Sequence, residues 1–147
     1  MPIKDQINHD LKDAMRAKDK RQLEALRLIT AAIKQIEVDE RIQIDDARML
    51  VILDKLAKQR KESISQFASA GRDDLVQQEQ FELEIVERYL PEPLTMTEIN
   101  QLIDDALKAV DAQKMSDMGK VMAQLKPKLQ GRADMGQVSA TIKAKLS

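Results

Sequence analysis

Two stretches near the C-terminus, Asp117-Met-Gly-Lys-Val-Met-Ala-Gln-Leu-Lys-Pro-Lys-Leu129 and Asp134-Met-Gly-Gln-Val-Ser-Ala-Thr-Ile-Lys-Ala-Lys-Leu146, are nearly one sequence written twice, 17 residues apart. Apolar residues recur at three-and-four spacing in both, so each copy predicts a short amphipathic helix. Asp117 and Asp134 stand where an N-cap belongs, and Gly131 between the copies predicts the stop of the first helix. Each copy carries two lysines toward its far end, Lys126 and Lys128, then Lys143 and Lys145. Pro127, where the second copy has Ala144, predicts a kink. Gly119 and Gly136 in the first turns allow two readings: close helix crossing, or backbone amides open to a phosphate.

Composition points the same way. Of 147 residues 43% are apolar, yet Phe67, Phe81 and Tyr89 are the only aromatics, and 33% are charged. Ala, Leu, Ile, Val and Met carry the apolar content, a helical balance. With no cysteine and only His9, the chain builds no disulfide, thiol nucleophile or ordinary zinc site. Nor does it hold a Walker-type phosphate loop, paired histidines or a nucleophile beside a base. No catalytic residue, metal ligand or cofactor is therefore assigned. Glu82, Glu84, Glu87, Asp104 and Asp105 are expected to be plain surface charges. The start, Met1 to Gln6, has neither an apolar signal core nor an Arg-rich transit character, which predicts a cytoplasmic protein with no membrane partner.

Helical signals succeed one another along the chain and predict an all-α fold: a four-helix N-terminal bundle followed by a small three-helix C-terminal subdomain. Ile3, Ile7, Leu11 and Ala14 mark the first helix, and Leu23, Leu26, Ile29, Ile33 and Ile36 the second, which is expected to fade in Glu37 to Arg41. Asp45 and Asp46 open a third, faced by Met49, Ile52, Leu53, Leu56, Ile64 and Phe67 and closed at Gly71. A fourth runs from about Asp73 to Leu90, where Pro91 and Pro93 forbid continuation. Thr95 with Glu98 then spells a capping box, and Leu94 with Ile99 its hydrophobic staple. The predicted domains are residues 1–90 and 95–147.

Lys58-Gln-Arg-Lys-Glu-Ser-Ile64, Ala70-Gly-Arg-Asp-Asp-Leu75, Tyr89-Leu-Pro-Glu-Pro-Leu94, and the repeats Met118-Gly-Lys-Val and Gly131-Arg-Ala-Asp-Met-Gly-Gln-Val follow in this order. Together they resemble the GatB/YqeY family, in its free-standing YqeY-like form, over the whole length. The resemblance implies an all-helical unit like the tail of the B subunit of glutamyl/aspartyl-tRNA amidotransferases, also found on some glutaminyl-tRNA synthetases, which grips the tRNA body. It implies a tRNA or other structured-RNA partner, with an aminoacyl-tRNA synthetase or amidotransferase as a protein partner. Carbon–nitrogen ligase activity with glutamine as amido-N donor belongs, in that family, to a separate domain that this chain lacks.

Charge shows where such a surface would lie. Residues 73–111 hold 2 basic and 11 acidic groups, whereas residues 112–147 hold 7 basic and 2 acidic. Phosphate is repelled by the first segment and attracted by the second. The RNA-binding candidates are Lys120, Lys126, Lys128, Arg132, Lys143 and Lys145, with Gly119 and Gly136. A second basic surface is expected from Lys12, Arg16, Lys18, Lys20 and Arg21 with Lys58, Arg60 and Lys61; Arg27 beside it is expected to cover apolar surface or pair with an acid of the fourth helix. The scarcity of aromatics favours folded RNA read by shape over splayed single strands. Two further readings stay open: a docking module for an enzyme or ribosome-associated partner, using Met115, Met118, Met122 and Met135 as an adaptable surface, or an accessory of a glutamine-dependent amidotransferase.

Overall fold

The computed structural model describes residues 1–147 and is all-helical, with no strand. In chain order the helices are α1 (Ile3–Arg16), α2 (Lys20–Glu40), α3 (Asp46–Ser69), α4 (Asp73–Glu87), α5 (Met96–Ala109), α6 (Met118–Leu129) and α7 (Met135–Leu146), with a 3₁₀ turn, Met115–Asp117, before α6. No helix is long and apolar enough to cross a membrane. The chain divides into two compact units, Met1–Leu90 and Pro91–Ser147.

In the first unit α3 packs along α4 and α1 along α2. Ile7, Leu26, Ile29, Met49, Leu53 and Val86 are fully buried at its centre. Asp19 caps α2 by accepting from the Gln22 amide at 3.2 Å, and Asp45 caps α3 by accepting from the Arg48 amide at 2.8 Å. Gly71, at φ +70°, turns the chain after α3, as glycine allows.

Two departures from the sequence reading, and one contact it did not offer, have local causes. The second helix ends at Glu40, within the Glu37 to Arg41 stretch where it is expected to fade, but that stretch does more than close the helix. There Glu37 accepts from Lys4 Nζ at 2.7 Å and from the Ile44 amide at 3.2 Å, so this one carboxylate ties three segments together. The Lys4 ammonium, and after it the Ile44 amide, hold the Glu37 carboxyl below its ordinary pKa. Helix α4 stops at Glu87 rather than Leu90, and the amides of Tyr89 and Leu90 bond to Val86 and Glu87 in a tightened last turn. A residue before proline is pushed out of the α region, and Leu90 precedes Pro91. Finally, Lys18, Arg41 and Asp111 take positive φ (56°, 55° and 51°) just after helices, positions where glycine would have been the readable signal.

Tyr89 is buried and its hydroxyl donates to Asp10 on α1, fastening the end of α4. Burial, and then the bond to the Asp10 carboxylate, push the phenol well above its ordinary pKa. These two residues lie 79 positions apart, and no sequence signal joined them.

The second unit has its own core, in which Ile103, Val121, Leu125, Leu129 and Ile142 are fully buried. The predicted capping box is present: Thr95 Oγ1 accepts from the Glu98 amide at 3.1 Å, and Glu98 accepts from the Thr95 amide at 3.3 Å. Leu94 and Ile99 both join the core. Helix α6 continues through Pro127 to Leu129, and Gly131 at φ +78° follows it.

Candidate nucleic-acid interface

The duplicated helices bury equivalent positions, Val121 with Val138, Leu125 with Ile142 and Leu129 with Leu146. This fixes the lysines on matching rows. Lys126 and Lys143 fall on one flank of each buried stripe, Lys128 and Lys145 on the other, at 100° per residue. All four are exposed, as is Lys120 on the outer face of α6.

They are not equally available. Lys145 Nζ lies 2.9 Å from Asp104 on α5, an ion pair within the unit. Lys120, Lys126, Lys128 and Lys143 make no ion pair. Arg132 is half-buried and structural: its Nε donates to the Glu92 carbonyl at 3.1 Å, and its own carbonyl accepts from the Leu94 amide at 2.9 Å. This double bond pattern anchors Glu92–Leu94, the proline-stiffened stretch, to the loop between α6 and α7.

The two Asp-Met-Gly corners differ, against the sequence reading. Asp134 is a true cap, its carboxylate accepting from the Gly136 amide at 2.9 Å and the Gln137 amide at 3.4 Å. Asp117 makes no such bond to α6; it reaches back to the amides of Gln113 (3.0 Å) and Lys114 (3.3 Å). Those two amides, Gln113 first, hold its carboxyl below the ordinary aspartate pKa. The start of α6 therefore has no side-chain cap.

The glycines do not serve helix crossing. A Cβ added at Gly119 would meet nothing within 4 Å, and one at Gly136 would meet only the Asp134 cap oxygen at 3.2 Å. Gly119 is thus an exposed, bare position in an uncapped first turn, beside Lys120. At Gly136 the cap occupies the amides.

The expected second basic surface in the first unit is drawn partly into internal contacts. Arg60 lies 3.5 Å from Glu82 with both side chains largely covered, so Glu82 is no plain surface charge. The Arg21 guanidinium sits 4.1 Å over the Phe81 ring, and Arg16 lies 3.7 Å from Asp13. Lys12, Lys20, Lys58 and Lys61 remain exposed. Arg27 is exposed too and pairs with no acid of α4. Of the methionines considered for docking, Met118, Met122 and Met135 are half-buried against the second core, and only Met115 is exposed, at 42%.

Residues 4–146 match the Yqey-like protein family. The chain is also similar to fungal proteins named "Altered inheritance of mitochondria protein 41, mitochondrial". It is 33% identical over 129 residues to that of Pyrenophora tritici-repentis, covering 86% of this chain and 71% of the relative. Against that of Saccharomyces cerevisiae (strain YJM789) it is 33% identical over 125 residues, covering 81% and 68%. Against that of Meyerozyma guilliermondii it is 38% identical over 115 residues, covering 78% of this chain and 59% of the relative. These names place the relatives in mitochondria, which overturns the cytoplasmic assignment drawn from the first residues. Matched to it in sequence from Lys4 to Leu146, the chain belongs to the Yqey-like protein family.

Proposed function

We propose that the chain binds structured RNA, with tRNA the leading candidate, through the outer faces of α6 and α7. The observation that carries the reading is that Lys120, Lys126, Lys128 and Lys143 stand exposed and unpaired around one small helical hairpin. Cations without internal partners break no ion pair when they meet phosphate, and each contact releases counterions. The bare position at Gly119 adds room for close approach and the positive end of a helix dipole. Asp104 competes for Lys145, and Arg132 serves the fold, so both contribute less than the other four. No apolar methionine surface comparable to this basic face supports docking through α6 and α7.

The test is binding of purified chain to folded tRNA at two salt concentrations, beside a variant with Lys120, Lys126, Lys128 and Lys143 changed to Ala. The parent is expected to bind with a salt dependence whose log–log slope falls by roughly 0.7–0.9 for each phosphate contact removed. Absence of binding at low salt, or an unchanged slope in the variant, would sink the reading.

A further inference from the structure

The outer face of α2 carries a second amphipathic pattern that the core does not use. Ile42, 42% exposed, lies just beyond the end of the helix; within it Leu28, Ala31, Gln35 and Val38 are spaced three and four apart, and all are exposed, Leu28 at 47% and Val38 at 63%. Apolar side chains scattered singly on a surface need no explanation. These fall in one row, on the side of α2 away from buried Leu26, Ile29 and Ile33.

Beside that row runs another. Lys20, Arg27, Lys34 and Arg41 recur at intervals of seven, all exposed, and none makes an ion pair within the chain. A seven-residue period drifts only about 20° per two turns, so Lys20, Arg27 and Lys34 form a nearly straight basic edge, which Arg41 continues at the helix end. In heptad terms the apolar row occupies the seam positions and the cations one flank. The opposite flank has Ala32 and Asp39, the latter already bonded to Gln35 at 2.9 Å. Glu24 closes the row at its N-terminal end. On the far side of Lys34 lies a cleft of about 290 Å³ floored by Ile7 and Ile33, which leaves room beside the basic edge for a partner's side chains.

We propose that this face of α2 is a docking seam for an acidic amphipathic helix of another protein. Charge selects the occupant. A second copy packed antiparallel would set the two basic edges against each other, and one packed parallel would offer them only Ala32 and an Asp39 already bonded to Gln35. A partner with apolar seam residues and glutamates on its flanks matches both rows, the apolar one over about 15 Å from Leu28 to Val38 and the basic one along most of the helix. Nucleic acid would use the cations and leave Leu28 and Val38 wet. A lipid surface would take the apolar row, but α2 offers it only a narrow stripe, because its other face is spent on the core. The seam lies in the first unit and is independent of the RNA reading for α6 and α7.

The probe is a synthetic three-heptad peptide with Leu and Ile at its seam positions and Glu on both flanks, compared with one bearing Lys on both flanks. Binding to the full chain is read by fluorescence anisotropy, and the contact surface by amide shifts of the labelled protein. The acidic peptide is expected to bind with shifts centred on Leu28 to Ile42, and the lysine peptide at least about tenfold more weakly. V38E should weaken the acidic peptide about tenfold, and R27E with K34E should reverse the charge preference. These positions are exposed, and unchanged thermal melts of the variants confirm that the fold persists. The proposal is overturned by absence of binding, by equal binding of the two peptides, or by shifts elsewhere. It is equally overturned if those variants instead abolish binding to phosphatidylglycerol vesicles or to tRNA while leaving the peptide unaffected.

Discussion

Helices α6 and α7 are entered through the same Asp-Met-Gly triplet and bury the same three positions, yet their first turns are built differently. Asp134 closes the start of α7, whereas Asp117 turns back to Gln113 and Lys114 and leaves the start of α6 without a side-chain cap. The difference comes from what precedes each helix. A 3₁₀ turn brings upstream amides within reach of Asp117, while Gly131-Arg132-Ala133 leads into Asp134 in an extended conformation suited to capping. A carboxylate bonds the amides that the incoming chain presents. Duplication of sequence thus preserved the packing and separated the two corners, one closed by a side-chain cap, the other continued from a 3₁₀ turn without one.

The largest test of the comparison concerns the equivalent leucines. Leu129 is fully buried and Leu146 is 9% exposed at the chain's end. L129A should cost about 3–5 kcal/mol and L146A about 2, read by chemical denaturation, because the terminal turn relaxes around the lost volume. Equal costs would show that the second copy is as tightly held as the first.

The next test divides the caps. D134A is expected to destabilise by about 1 kcal/mol. D117A should leave α6 intact and instead speed hydrogen exchange at Gln113 and Lys114. Acid makes the same distinction without mutation. The lowered Asp117 pKa means that its contribution is present above the ordinary aspartate value of 3.8 and is lost as pH falls through the lower folded value. Protection of those two amides should therefore persist below pH 3.8 and disappear only on further acidification.

Glycine substitution gives a smaller effect of opposite meaning. G119A has open space and should stabilise by about 0.5–1 kcal/mol, while G136A meets the Asp134 oxygen at 3.2 Å and should gain less. If the α6 turn approaches phosphate, G119A will also weaken tRNA binding despite the gain in stability. The smallest expected difference is between lysines: K128A should lower the salt slope of RNA binding more than K145A, whose cation is shared with Asp104.

Much of the fold was legible because its signals are local. Periodicity placed all seven helices, Thr95 and Glu98 spelled out their cap, and Gly71 and Gly131 marked two turns. The turns at Lys18, Arg41 and Asp111 were less legible because each residue is held in the left-handed region by the bonding of the preceding helix rather than by its own preference. The basic character of the candidate site was also readable. The roles within it were not, because an exposed lysine and a paired one look alike until a partner such as Asp104 is brought close.

By itself, then, the sequence determined the all-helical class, the buried stripes and the segregation of charge, since these depend on spacing along one chain. Tertiary structure alone decided that Glu37 joins Lys4 to Ile44, that Tyr89 fastens onto Asp10, and that Arg60 and Arg132 turn inward. It also left the cations of α2 unpaired beside an apolar row. Hydrogen bonds and ion pairs act over a few ångströms of space, and only folding sets which distant residues come within that distance.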